Sequence, residues 1–91
     1  MERYILECRL DEPFSKENEK TSSRAIDGFL EANGGHWIRS YYNTERTRLI
    51  CEFEAPDEET VRAAWNYAKC PIESLWPAIV FQREVFLQAQ E

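Results

Sequence analysis

Thr47-Arg48-Leu49-Ile50-Cys51-Glu52-Phe53-Glu54-Ala55 runs directly into Pro56-Asp57-Glu58-Glu59-Thr60-Val61, and the fold is read from the change of period inside this one stretch. In the first part Leu49, Cys51 and Phe53 alternate with Arg48, Glu52 and Glu54, the two-residue repeat of a strand with one buried face. In the second, the Asp57 carboxylate can cap the free amides of a helix, while Glu58 and Glu59 complement the positive end of its dipole. Val61, Ala64, Trp65 and Ala68 then recur at three- and four-residue steps, so the helix has one apolar stripe. Pro71 stops it near Lys69 or Cys70.

The same two signatures recur upstream. From Tyr4 to Leu10 the apolar residues Tyr4, Leu6, Cys8 and Leu10 alternate with Ile5, Glu7 and Arg9, a first strand. Asp11-Glu12-Pro13 breaks it. Phe14 followed by Ser15 reads as a hydrophobic residue ahead of an N-cap. In the helix that follows, Ser22, Ala25, Ile26, Phe29 and Leu30 form the packing stripe, and Asn33-Gly34-Gly35 supplies left-handed residues that end it. His36 to Tyr42, rich in aromatic and branched residues, is the second strand, joined to Thr47–Ala55 by a hairpin over Asn43 to Arg46. Beyond the second helix, Ile72 to Pro77 reads as an irregular connection and Ala78 to Phe86 as the last strand.

Two β-α-β crossovers of right-handed sense with a hairpin between them place the first and third strands side by side in the middle of a four-stranded antiparallel sheet. Both helices then cover one face. This is an α+β chain of the ferredoxin-like plan, with residues 1–91 forming one domain. A domain of this size buries only about 60 to 65% of its unfolded surface, so aromatics at 13% of the chain are enough for a core and a subunit contact.

Seventeen acidic against eleven basic residues, a net charge of -6, oppose phosphate backbones and anionic lipid surfaces. No nucleic-acid or membrane partner is expected. The basic cluster Arg39, Arg46 and Arg48 is interrupted by Glu45 and reads as an ion-paired strand surface. No apolar run approaches the roughly 18 to 20 residues of a membrane span, and Met1-Glu2-Arg3-Tyr4 lacks the build of a signal peptide, so a cytoplasmic location is expected. Cys8, Cys51 and Cys70 are odd in number, with no Cys-x-x-Cys pair, and read as buried thiols.

The sheet face away from the helices is where function is expected. It carries Ile5, Glu7, Arg9, Ile50, Glu52 and Glu54, joined by Trp37, Arg39 and Tyr41 if Thr44-Glu45 is the turn. Carboxylates and guanidinium groups around aromatic bulk suit a subunit contact, and hence a homodimer, better than bare solvent. Trp37, Arg39, Tyr41, Glu7, Glu52 and Glu54 are thus the candidate dimer face or ligand pocket. Glu7, Glu52 and Glu54 form an oxygen-rich cation site if two subunits bring their faces together; ion pairs with Arg9, Arg39 and Arg48 are the ordinary alternative. His36, the chain's one histidine, follows Gly-Gly at a strand entrance, and imidazole suits nickel or another borderline divalent ion. With Glu52 and Glu54 it makes the candidate metal set. Cys51 and Glu54, three apart on a strand, point to opposite faces and do not share an ion.

Gly34-Gly35-His36-Trp37-Ile38-Arg39-Ser40-Tyr41, with Cys51-Glu52-Phe53-Glu54-Ala55-Pro56 and Val61-Arg62, resembles the small bacterial nickel-binding proteins first catalogued as a domain of unknown function. The likeness runs from Arg3 to about Arg83. It implies a ferredoxin-like subunit that pairs into a dimeric α/β barrel, with nickel as the metal. The resulting expectation is a non-enzymatic homodimer that binds a metal ion or a small ligand at or near the subunit interface. No catalytic residue is assigned in that reading. The alternative is a small barrel enzyme in which Tyr41 or Glu52 serves as acid or base on a small aromatic or carbonyl substrate, in an apolar pocket lined by Trp37 and Tyr41.

Overall fold

Tyr4, Leu6 and Cys8 on strand β1 (Glu2–Arg9) and Cys51, Phe53 and Ala55 on strand β3 (Arg48–Ala55) are buried on the same side of the sheet, where their alternation puts them. The two strands pair antiparallel, with Leu6 opposite Cys51 and Glu7 opposite Ile50. They are the two central strands of a sheet ordered β2-β3-β1-β4, in which β2 is His36–Tyr42 and β4 is Ser74–Ala78. The coordinates are a computed structural model, which describes residues 1–89. Helices α1 (Lys16–Ala32) and α2 (Glu58–Tyr67) complete the β-α-β-β-α-β order, and a short α3 (Arg83–Ala89) follows it.

Each long helix begins at the cap read from the sequence. The Ser15 hydroxyl accepts from the Asn18 amide at 3.1 Å and the Asp57 carboxylate from the Thr60 amide at 2.8 Å. Ile26 and Leu30 of α1, with Val61, Ala64 and Trp65 of α2, face the sheet. Leu6, Leu30, Val61 and Phe53 are the largest fully enclosed side chains, and the Phe53 and Trp65 rings meet edge to face at 5.7 Å. The Trp65 indole, buried as it is, donates to the Pro71 carbonyl at 2.8 Å, which ties the end of α2 to the connection that follows.

At the end of α1, Gly34 adopts φ 81°, and the Gly35 amide donates to the Leu30 carbonyl at 2.7 Å. Gly35 is required for a different reason: a Cβ there would stand 2.8 Å from the Glu54 backbone oxygen. The chain passes so close to β3 that only a hydrogen fits.

The last strand lies elsewhere than the sequence reading placed it. The strand expected over Ala78 to Phe86 keeps only Ala78; β4 is Ser74–Ala78, supplied by the stretch expected to be an irregular connection. Pairing with β1 decides this. Leu75 stands opposite Leu6 and packs on the core, while Trp76 stands opposite Ile5. Pro77 is tolerated there because β4 is an edge. Ile79, Val80 and Phe81 instead leave the sheet exposed, and Val85, Phe86 and Leu87 are exposed on α3.

Candidate functional site

On the sheet face away from the helices, Arg3 lies between two carboxylates of β3. Its Nη2 is 2.8 Å from Glu54 Oε1, and its Nη1 donates to Glu52. Glu52 also receives Arg39 Nε at 3.2 Å, so one carboxylate bridges two guanidinium groups across three strands. Burial works against the charge on Arg3, but the hydrogen bonds to Glu54 and Glu52 outweigh it and hold its pKa above the ordinary arginine value. Glu7 is engaged differently: it accepts from the Ser74 hydroxyl at 2.6 Å and, weakly, from the Trp76 indole at 3.5 Å, and these bonds pull its pKa below the usual carboxylate range. Around this polar ladder stand Ile50, Tyr41 and Trp76, all exposed.

His36 stands opposite Glu54 in the register of β2 and β3, but the three candidate metal residues do not converge on one site. Glu52 and Glu54 are occupied by Arg3, and among the described residues no three His, Cys, Asp or Glu side chains converge as a metal site. His36 is paired with a residue the sequence reading did not single out: its Nδ1 lies 3.1 Å from Oε1 of Glu31, both side chains being about half exposed. The glycine-ended turn produces this pair, because it folds the chain back so that the last turn of α1 looks onto the first residue of β2. The signal was present as Glu-x-x-x-x-His across Asn33-Gly34-Gly35, a local pattern that strand alternation does not register.

Trp37 also departs from expectation. Tyr41 pairs with Ile50 and Arg39 with Glu52, on the open face as expected, but the register shifts between Arg39 and Trp37 so that Trp37 stands opposite Phe53. This bulge turns the indole to the helix side. There Trp37 Nε1 donates to the Ser40 hydroxyl at 3.0 Å, and that hydroxyl lies 3.0 Å from Cys51 Sγ. These groups border a cavity between α1 and the sheet, which is also lined by Tyr42 and by all three cysteines. Burial pushes the Cys8 thiol up to about 11 and the Cys51 thiol up to about 12, so both are neutral in ordinary buffers. Phe14 and Glu19 line one side, and Arg46 braces both, its guanidinium 4.5 Å from the Phe14 ring centroid and ion-paired with Glu19.

Compared with known families, residues 4–77 match the family described as "Nickel responsive protein SCO4226-like". The chain belongs to that family. Among solved structures it is similar to SCO4226 from Streptomyces coelicolor A3(2), with a TM-score of 0.76 at 11% identity, over 88% of this chain and 99% of that one. At such identity the match establishes the shared ferredoxin-like fold. No curated protein sequence matches the chain. The His36 and Glu31 pair unites the chain's one imidazole with a carboxylate that no guanidinium occupies among the described residues. No helix among the described residues is long and apolar enough to cross a membrane.

Proposed function

We propose that the chain is a non-enzymatic homodimeric protein that binds a divalent metal ion, nickel first among them, through His36 and Glu31, the remaining donors coming from the second subunit or from water. The observation that carries this reading is the 3.1 Å separation of His36 Nδ1 and Glu31 Oε1. Metal bonds of about 2.1 Å meeting at a right angle put two donor atoms about 3.0 Å apart. The pair thus already has the spacing of adjacent ligands. Imidazole with carboxylate also fits a borderline ion such as nickel, and the family's description names that metal. When bound, nickel would supply a charge that both groups share; the chain's own part is to hold them at that spacing from the end of α1 and the start of β2.

Dimerisation is supported by the open sheet face and the segment beyond it. Trp76, Ile50 and Tyr41 are exposed there, and Arg3 Nε is buried with no hydrogen-bond partner among the described residues. Just past β4, Ile79 is 95% and Phe81 74% exposed, which one chain alone gives no reason for. A second copy would cover both surfaces. The enzymatic alternative needs Glu52 or Tyr41 in a closed apolar pocket, whereas Glu52 is ion-paired twice and Tyr41 is 62% exposed.

Calorimetric titration of untagged protein with nickel, run beside His36→Ala and Glu31→Gln, tests the assignment. Both substitutions are expected to abolish or severely weaken binding. Wild-type affinity in His36→Ala would refute it.

A further inference from the structure

We propose that the cavity between α1 and the sheet binds a small neutral aromatic molecule, a single ring bearing one hydroxyl. The site lies on the opposite side of the sheet from the open face and does not depend on the metal assignment.

The cavity has a volume of about 100 Å³ and opens to solvent on one side. A closed apolar cavity of about 150 Å³ stays dry and takes up benzene, so this space, with its open mouth, suits one ring. Its walls are of the right kind. Ile26 comes from α1, Phe53 and Trp65 meet edge to face, and Trp37 and Tyr42 stand on β2. An occupant would thus meet an aromatic wall, against which a ring can stack or stand edge-on.

Charge selects against ions. Glu19, the one charged side chain lining the cavity, is neutralised by Arg46, which lies behind the wall over the Phe14 and Tyr42 rings at 4.5 and 5.5 Å. An anion or cation entering would lose its hydration and gain no free counter-charge. The thiols of Cys8 and Cys51 remain protonated, so they add no charge of their own. One polar function is provided for. The Ser40 oxygen accepts from the Trp37 indole and donates toward Cys51, which leaves one lone pair able to accept from a ligand hydroxyl.

Phenol is the probe, followed by amide and indole N–H resonances of the native protein, with benzoate as its charged counterpart. Saturable shifts centred on the Trp37 and Trp65 indoles and on residues around Cys51 are expected with phenol, and none with benzoate. Ser23→Leu should fill the cavity from α1, abolish these shifts and raise Tm. Ser22→Leu serves the same purpose should the first variant fold poorly. Shifts that never saturate, that fall on residues 79–87 instead, that benzoate reproduces, or that persist in a folded cavity-filled variant would overturn the proposal.

Discussion

Gly35→Ala and Gly28→Ala are the same chemical change and are expected to move stability in opposite directions. At Gly35 the added methyl would stand 2.8 Å from the Glu54 backbone oxygen and 3.4 Å from Leu30 Cδ2. A backbone oxygen in a central strand cannot rotate aside, so β2 must back away from β3 by about 0.6 Å to restore ordinary contact. Overpacking of this kind costs about 1 to 3 kcal/mol. At Gly28 a methyl would meet nothing within 4 Å, and the position lies inside α1. There the gain in helix propensity is about 0.5 to 1 kcal/mol. With a urea slope of about 1 to 1.5 kcal/mol/M for so small a chain, the midpoint should fall by about 0.7 to 3 M in Gly35→Ala and rise by about 0.3 to 1 M in Gly28→Ala. Circular dichroism at one fixed protein concentration measures both, since a dimer's midpoint depends on concentration. Because Gly35 leads directly into His36, the first variant should also lose nickel affinity and the second should not. Equal midpoints for wild type and Gly35→Ala, or shifts of the same sign in both variants, would refute the reasoning.

Three further outcomes are expected. Native protein at pH 8 should present at most the Cys70 thiol to a disulfide reagent and all three after denaturation. Stability should then decline as pH rises past about 9, because burial raises Cys8 to about 11 and Cys51 to about 12 and the stabilisation of their neutral forms is lost as pH climbs through those values. Rapid native labelling of Cys51 would contradict this. At the acid end, Glu7 and Asp57 titrate below their ordinary values because the Ser74 and Thr60 hydroxyls, respectively, hydrogen-bond their ionised forms. Their contribution is present above the ordinary carboxylate range and lost as pH falls through it, so Glu7→Gln should flatten the acid limb of urea midpoint against pH. Ending the chain after Ala78 removes the exposed Ile79, Phe81 and Phe86, and light scattering at micromolar concentration should then give the mass of one shortened chain; the mass of two shortened chains would remove this segment from any interface.

Much of the fold was legible because it is written locally. Alternation from Tyr4 to Cys8 and from Cys51 to Ala55 put both central strands in their places and Glu7 and Glu52 away from the helices, and Ser15 and Asp57 marked both helix starts. β4 was misplaced because its evidence is not local: Leu75 and Trp76 become strand residues by pairing with Leu6 and Ile5, about 70 positions away. Trp37 was turned the wrong way by a bulge next to it, which inverts a face without altering the pattern of residue types. The metal candidates show the same limit. Ion pairing of Glu52 with Arg39 was readable, but not that Arg3 would stand between Glu52 and Glu54 from a neighbouring strand, and Glu31 reached His36 only through the turn at Gly34 and Gly35.

X-ray absorption at the nickel edge of the loaded, untagged protein tests the central assignment most directly, since it reads the donor atoms themselves. An imidazole nitrogen and light oxygen or nitrogen neighbours are expected, with no sulfur, and the imidazole signature should disappear in His36→Ala. Sulfur at about 2.2 to 2.3 Å, a wild-type spectrum without an imidazole nitrogen, or full nickel loading retained by His36→Ala would contradict the account.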